Sequence, residues 1–210
     1  MSLLLKPGER GLLVGKTGSG KTMGATFLLR HLPPPIIVLD TKGDDHLPRS
    51  FDPRITDRVD GLTDRIDQPI TIVTPTASEL IDVAGLDDWI GSLPAPATLY
   101  IDELYQVHFG SGRAGPGLVG LLTRGRSRGM TTLMSTQRPA WISRFCLTET
   151  ENFYVYRLSD PADRDRVARL TAPQIERIPR RFHFWFYRQG RAAAVLYSPV
   201  PAIQYREETS

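Results

Sequence analysis

Apolar residues in this chain are grouped in short continuous runs instead of alternating with polar ones. Leu12-Leu13-Val14, Ile36-Ile37-Val38-Leu39, Ile70–Thr74, Thr98–Ile101 and Thr131–Ser135 are each of strand length or shorter. Such runs suit strands covered on both faces, as in the interior of a parallel sheet. Helical segments separate them. Met23–His31 stops at Pro33-Pro34-Pro35, Ala77–Leu93 is interrupted at Gly85 and Gly91, and Leu118–Thr123 is short. Two more helices are expected, one near Ala140–Phe145 and one opened by Asp160-Pro161 that runs to about Leu170. Thr41–Gln68 is polar and rich in Asp, Arg and Pro, and reads as a long connection with little core of its own. Phe153–Leu158 is a further strand. Phe182–Tyr187 and Ala192–Tyr197 flank a turn at Gly190, the pattern of a β-hairpin. The alternation predicts an α/β fold, a mostly parallel sheet flanked by helices with a C-terminal hairpin. One domain over residues 1–210 accommodates it, with a motif-bearing core over 8–170 and a hairpin and tail over 171–210.

The first strand runs into Gly15-Lys16-Thr17-Gly18-Ser19-Gly20-Lys21-Thr22, which fits the P-loop pattern Gly-x4-Gly-Lys-Ser/Thr. Three glycines permit a tight loop whose N–H groups turn inward to phosphates, and the helix beginning near Lys21 adds its positive end. Lys21 is placed to contact β- and γ-phosphates and Thr22 to ligate Mg2+, so ATP or GTP with Mg2+ is the expected ligand. This makes the fold a P-loop NTPase of the RecA/ASCE-like kind. Tyr100-Ile101-Asp102-Glu103 ends an apolar strand with two acids, the Walker B position: Asp102 holds Mg2+ through water and Glu103 polarises the attacking water. Ser135-Thr136-Gln137-Arg138-Pro139 ends another strand. Gln137 is a candidate to orient water and sense the γ-phosphate, or simply to hydrogen-bond a strand end.

Charge and composition narrow the function further. Residues 1–100 carry 10 basic and 13 acidic side chains, whereas residues 101–210 carry 16 and 10. Between Leu104 and Thr148 there are six arginines (Arg113, Arg124, Arg126, Arg128, Arg138, Arg144) and no acid, a block suited to a polyanion. No apolar run approaches a membrane span, and the N-terminus lacks the features of a signal peptide. Cys146 is the only cysteine, which excludes an internal disulfide and a cysteine-rich metal site. The histidines have no metal-ligand spacing, and the aromatic run 182–187 reads as hairpin packing.

Taken in order, the P-loop, Asp40-Thr41-Lys42-Gly43, Asp102-Glu103, Gly125-Arg126-Ser127-Arg128-Gly129 and Thr136-Gln137-Arg138-Pro139 resemble the FtsK/HerA superfamily of DNA-pumping ATPases. Asn152–Arg166 resembles that superfamily's next strand and helix, and the likeness spans roughly residues 8–170. Without membrane, linker or barrel additions, the chain is most similar to genome-packaging ATPases of membrane-containing icosahedral viruses. The resemblance implies a homo-oligomeric ring, hexameric or pentameric, that threads double-stranded DNA in the host cytoplasm or at the virion vertex, with capsid vertex or membrane proteins as further partners. It also implies an arginine finger acting on the neighbour's γ-phosphate, worth about 10^3 to 10^5 in rate in other P-loop enzymes. Arg124 and Arg128 are the favoured candidates and Arg126 a third, each with a competing role on DNA phosphate. Gly110–Gly117 with Arg113 is either a DNA-facing pore loop or plain surface. Lys42 lies near the nucleotide or at a subunit interface, or is an ordinary turn lysine. Rival readings are a phage-assembly or secretion ATPase, a cellular HerA-like translocase, a ring protein that binds ATP without turnover, and a small-molecule kinase.

Overall fold

The computed structural model describes residues 2–43, 46–110 and 112–201. Strand β1 (Arg10–Val14) passes through the glycine-rich loop into helix α1 (Lys21–Leu29). The turn into the helix is made at Gly20, whose φ of 103° lies in the left-handed region that a side chain disfavours. There follow β2 (Ile36–Asp40), β3 (Thr56–Asp60), β4 (Ile70–Thr74), α2 (Ala77–Ile81), α3 (Val83–Ser92) and β5 (Thr98–Asp102). After them come the two-residue strands β6 (His108–Phe109) and β7 (Arg113–Ala114), α4 (Pro116–Arg124), β8 (Thr131–Thr136) and α5 (Arg144–Glu149). The chain closes with β9 (Asn152–Val155), α6 (Pro161–Ala168), β10 (Phe184–Arg188) and β11 (Val195–Tyr197).

Nine strands form one sheet in the order β11-β10-β9-β1-β8-β5-β2-β4-β3, and β6 pairs with β7 separately. All pairs from β9 to β3 are parallel, while β10 and β11 are added antiparallel. Strand β8 lies between β1 and β5. The loop after β1 and the acidic end of β5 therefore face each other across the end of β8.

Side chains alternate between two cores, as the pleat requires. Leu12 and Val14 of β1 join Leu86, Leu118 and Cys146 on the face covered by α3, α4 and α5. Leu13 joins Ala25 and Leu28 of α1 on the other face, together with Tyr154, Phe184 and Phe186. The aromatic hairpin is thus core: Tyr154 stacks on Phe186 at 5.1 Å and Tyr156 on Phe184 at 5.0 Å between ring centroids.

Four expectations are corrected. The polar stretch 41–68 supplies β3, a parallel edge strand on β4, and buries Leu47 and Phe51. Its strand, Thr-Asp-Arg-Val-Asp, is largely open to solvent and so lacks the apolar run that marks a buried one. The region 77–93 is two helices, and the break falls at Asp82 instead of at a glycine, because the Asp82 carboxylate accepts the Gly85 N–H at 3.1 Å and caps α3. Gly91 is inside α3, where it lets Gly117 of α4 approach closely. The helix expected near 140–145 starts at Arg144, capped by Ser143, and the strand expected over 153–158 ends at Val155. Ser111 and the tail after residue 201 lie outside the described residues.

Helix α1 lies so close to the end of β9 that a Cβ on Gly24 would come within 2.0 Å of the Tyr156 hydroxyl. Gly24→Ala is expected to lower stability by about 1–3 kcal/mol, the usual cost of overpacking. Adding Tyr156→Phe should recover part of that loss in a thermal-denaturation double-mutant cycle, since it deletes the colliding oxygen.

Candidate nucleotide site

The loop Gly15–Thr22 is braced from two neighbouring strands. Gly15 N–H donates to the Thr136 carbonyl at 3.2 Å and Lys16 N–H to the Arg157 carbonyl at 2.9 Å. Among the described residues the N–H groups of Gly18, Gly20, Lys21 and Thr22 have no backbone acceptor, which leaves a cluster of donors at the positive end of α1. The Ser19 hydroxyl is buried with no hydrogen-bond partner. Lys21 is 6% exposed and curls back on its own loop, donating to the Gly15 carbonyl at 2.6 Å and the Lys16 carbonyl at 3.2 Å. Burial pushes its pKa down to about 8, with Lys42 contributing in the same direction against the pull of Glu103 and Asp102. An ammonium so poorly compensated is a receptor for anionic oxygen.

Opposite the loop, β5 delivers Asp102 and Glu103 to one buried spot, 2% and 0% exposed. Asp102 accepts hydroxyls from Tyr100 at 2.9 Å and Ser135 at 2.8 Å. Glu103 has a left-handed φ of 79°, a strained conformation for a residue with a side chain. Its Oε1 accepts the Thr136 hydroxyl at 2.8 Å and the Gln137 N–H at 3.0 Å. Its Oε2 receives no hydroxyl or backbone N–H among the described residues and faces Lys42 instead. The Lys42 ammonium lies 3.1 Å from Asp102 and 3.3 Å from Glu103. Burial works against that charge, but the two carboxylates outweigh it and raise its pKa. Lys42 is held in place by a turn in which the Asp40 carboxylate accepts the N–H groups of Lys42 and Gly43 at 3.1 and 3.0 Å.

Gln137 joins the two halves. Its backbone holds Glu103, and its side-chain oxygen accepts the Thr17 hydroxyl of the P-loop. The structure thus brings together Gly15–Thr22, Asp102, Glu103 and Gln137, and adds Lys42 at the acids. Three contributors escaped the sequence reading: Tyr100, Ser135 and Thr136. Tyr100 was accessible in principle, because residues two apart on a strand share a face, which aligns it with Asp102.

The donor set fits a nucleoside triphosphate with Mg2+. Orphaned N–H groups and Lys21 suit the phosphates. The Thr22 hydroxyl forms no hydrogen bond among the described residues, and with the Asp102 carboxylate it offers the hard oxygen ligands this ion takes. Held by Thr22 and Asp102, Mg2+ would supply positive charge against the charge that develops on the phosphates.

The remaining arginines are elsewhere. Arg124, Arg126 and Arg128 precede β8, whereas Gln137 follows it, so about 17 Å of strand separates them from their own P-loop. Arg126 pairs with Glu151 at 3.2 Å, Arg128 donates to the Leu93 carbonyl at 3.2 Å, and Arg124 is exposed at the end of α4. None of the three completes the site within its own chain. Arg113 is exposed, but the segment 110–117 is not simply a free loop: β7 pairs with β6, and Asp87 accepts the N–H groups of Gly117 and Leu118 at 2.7 and 2.9 Å.

A glycine-rich loop of the P-loop pattern after one strand, two acids on a second and a strand between them ending in a glutamine match the P-loop NTPase fold of the RecA/ASCE-like kind. The chain is similar to the DNA packaging ATPase P9 of Enterobacteria phage PRD1, with 27% identity over 213 residues that cover 92% of this chain and 88% of that protein. The genome packaging NTPase B204 of Sulfolobus turreted icosahedral virus 2, solved with AMPPCP, superposes with a TM-score of 0.73 at 15% identity, covering 93% of this chain and all of that one. The pCW3 conjugation coupling protein TcpA, solved with ATPgS, superposes with a TM-score of 0.57 at 15% identity, covering 91% of this chain and 60% of that one. No family model matches the chain. The resemblance to packaging ATPases read from the motifs extends over nearly the whole chain.

Lys42→Ala leaves two adjacent buried carboxylates without their cation. Removing one partner of a fully buried pair costs about 3–5 kcal/mol, and the loss here is smaller because Lys42 is 29% exposed. The expected result is a lower melting temperature without metal and a larger stabilisation by Mg2+ than in the wild type, read by thermal shift.

Proposed function

We propose that this chain is an ATP-hydrolysing, Mg2+-dependent motor that moves double-stranded DNA and packages a viral genome into a preformed capsid. The observation that carries the reading is Glu103: fully buried, held through one oxygen by Thr136 and Gln137, with only the Lys42 ammonium, at 3.3 Å, against the other. That is the arrangement of a base for water, and Gln137 connects it to the P-loop where the γ-phosphate would lie. Packaging follows from the likeness to PRD1 P9 and B204. In this reading the chain works as a hexameric or pentameric ring, at the virion vertex or in the host cytoplasm, with capsid vertex or membrane proteins as docking partners. No helix of the described residues is long and apolar enough to cross a membrane. DNA would be held through its phosphates, so binding is independent of sequence and sensitive to salt.

The test is ATP turnover with and without random-sequence duplex DNA. Wild-type turnover should rise with duplex. Glu103→Gln should lower it by about 10^2- to 10^4-fold while leaving ATP binding intact, the range for loss of a general base. Turnover unchanged by Glu103→Gln would overturn the mechanism, and turnover indifferent to DNA would favour extrusion of protein or a structural ring.

The finger is assigned to Arg124 or Arg128 acting on a neighbouring subunit. Whichever serves, its alanine variant should lose about 10^3-fold or more in turnover. Mixing that variant with Lys21→Ala should restore activity, because mixed rings recombine an intact site with an intact finger. Failure of both arginine variants to complement would exclude them.

A further inference from the structure

Two hollows open beside the site. One, of about 520 Å³, is lined by Tyr105, Arg113, Trp141, Arg144 and Arg166, and the other, of about 490 Å³, by Arg144, Arg166, Arg169 and Asp165. They share Ala140, Arg144 and Arg166 and so adjoin as one trench. Its charge is unbalanced. Asp165 is already paired with Arg169 at 2.9 Å, and Arg166 donates to the Ile142 carbonyl at 3.1 Å, whereas Arg113 and Arg144 have no ion pair among the described residues. Trp141 is 55% exposed on the trench wall, with the Arg138 guanidinium 4.4 Å from its ring and Tyr105 edge-on at 6.0 Å.

We propose that this trench is where the protein grips duplex DNA, through phosphate contacts by Arg113 and Arg144 supported by Arg166 and Arg169. The proposal rests on the DNA-motor reading above and assigns its contact surface. Four guanidiniums along one depression match a phosphate backbone, and an arginine fork bonds two phosphate oxygens at once. The trench walls are also direct continuations of the catalytic strands. Residues 104–107 follow Glu103, and Arg138 and Trp141 follow Gln137. The two segments are tied where the Ser143 N–H donates to His108 Nε2 at 3.1 Å and the Leu104 carbonyl meets His108 Nδ1 at 2.7 Å. Burial lowers the pKa of His108, which keeps it neutral and able to accept that bond. Movement of Glu103 or Gln137 on hydrolysis therefore reaches the DNA grip through a few bonds.

The test measures binding of the full chain to a fluorescein-labelled random-sequence duplex by anisotropy over a range of NaCl. Arg113→Ala/Arg144→Ala should weaken binding at least 10-fold and flatten the log–log salt slope by about 1.8, the value for two lost phosphate contacts. Arg113→Lys/Arg144→Lys should keep the slope, which a purely structural role would not. Arg191→Ala, at the hairpin turn on the opposite end of the sheet, is the control. A wild type that binds duplex while the double alanine variant matches the control, or a lysine form that loses the slope, overturns the trench. A wild type that does not bind duplex at all overturns the motor reading itself.

Discussion

Asp102 and Glu103 are neighbours in sequence and both buried, and two negative charges so placed repel strongly in a medium of low dielectric. Most of the site is an answer to that repulsion. Lys42 places one ammonium against both carboxylates, while hydroxyls from Tyr100, Ser135 and Thr136 and the N–H of Gln137 supply donors. The strained backbone at Glu103 belongs to the same arrangement, because it is what turns the second acid toward the end of β8. Tyr100 donates from the middle of β5 and the other donors from the ends of β2 and β8, so the charge cluster depends on the strand order.

That order also governs how the two halves of the site communicate. With β8 inserted between β1 and β5, the P-loop and the acids do not touch directly through their backbones. They meet through Thr136 and Gln137, the end of β8. The two lysines of the site differ accordingly: burial outweighs the acids at Lys21 and lowers its pKa, whereas Asp102 and Glu103 outweigh burial at Lys42 and raise it.

Much of this was legible along the chain. The P-loop and the paired acids are local patterns whose chemistry is set by a few consecutive residues, and the buried strands are local apolar runs. Other features were not. The edge strand β3 is polar because it is mostly solvated, and the break at Asp82 is made by a side-chain cap that competes with the glycines on either side. Lys42 could be named from its motif, but whether it faced nucleotide, neighbour or solvent depended on a strand pairing, β2 with β5, that brings residues about sixty positions apart into contact.

The sequence by itself determined that this protein carries a P-loop motif after its first strand, two acids at a strand end and a concentration of arginine in its second half. Those properties reside in contiguous residues, where spacing alone sets the chemistry. Only the tertiary structure decided which groups share the buried charge of Asp102 and Glu103, that Arg124, Arg126 and Arg128 are remote from their own P-loop, and that Arg113 and Arg144 line one trench. Those are distances between segments far apart in the chain, and they are fixed by the order in which strands pair in the sheet.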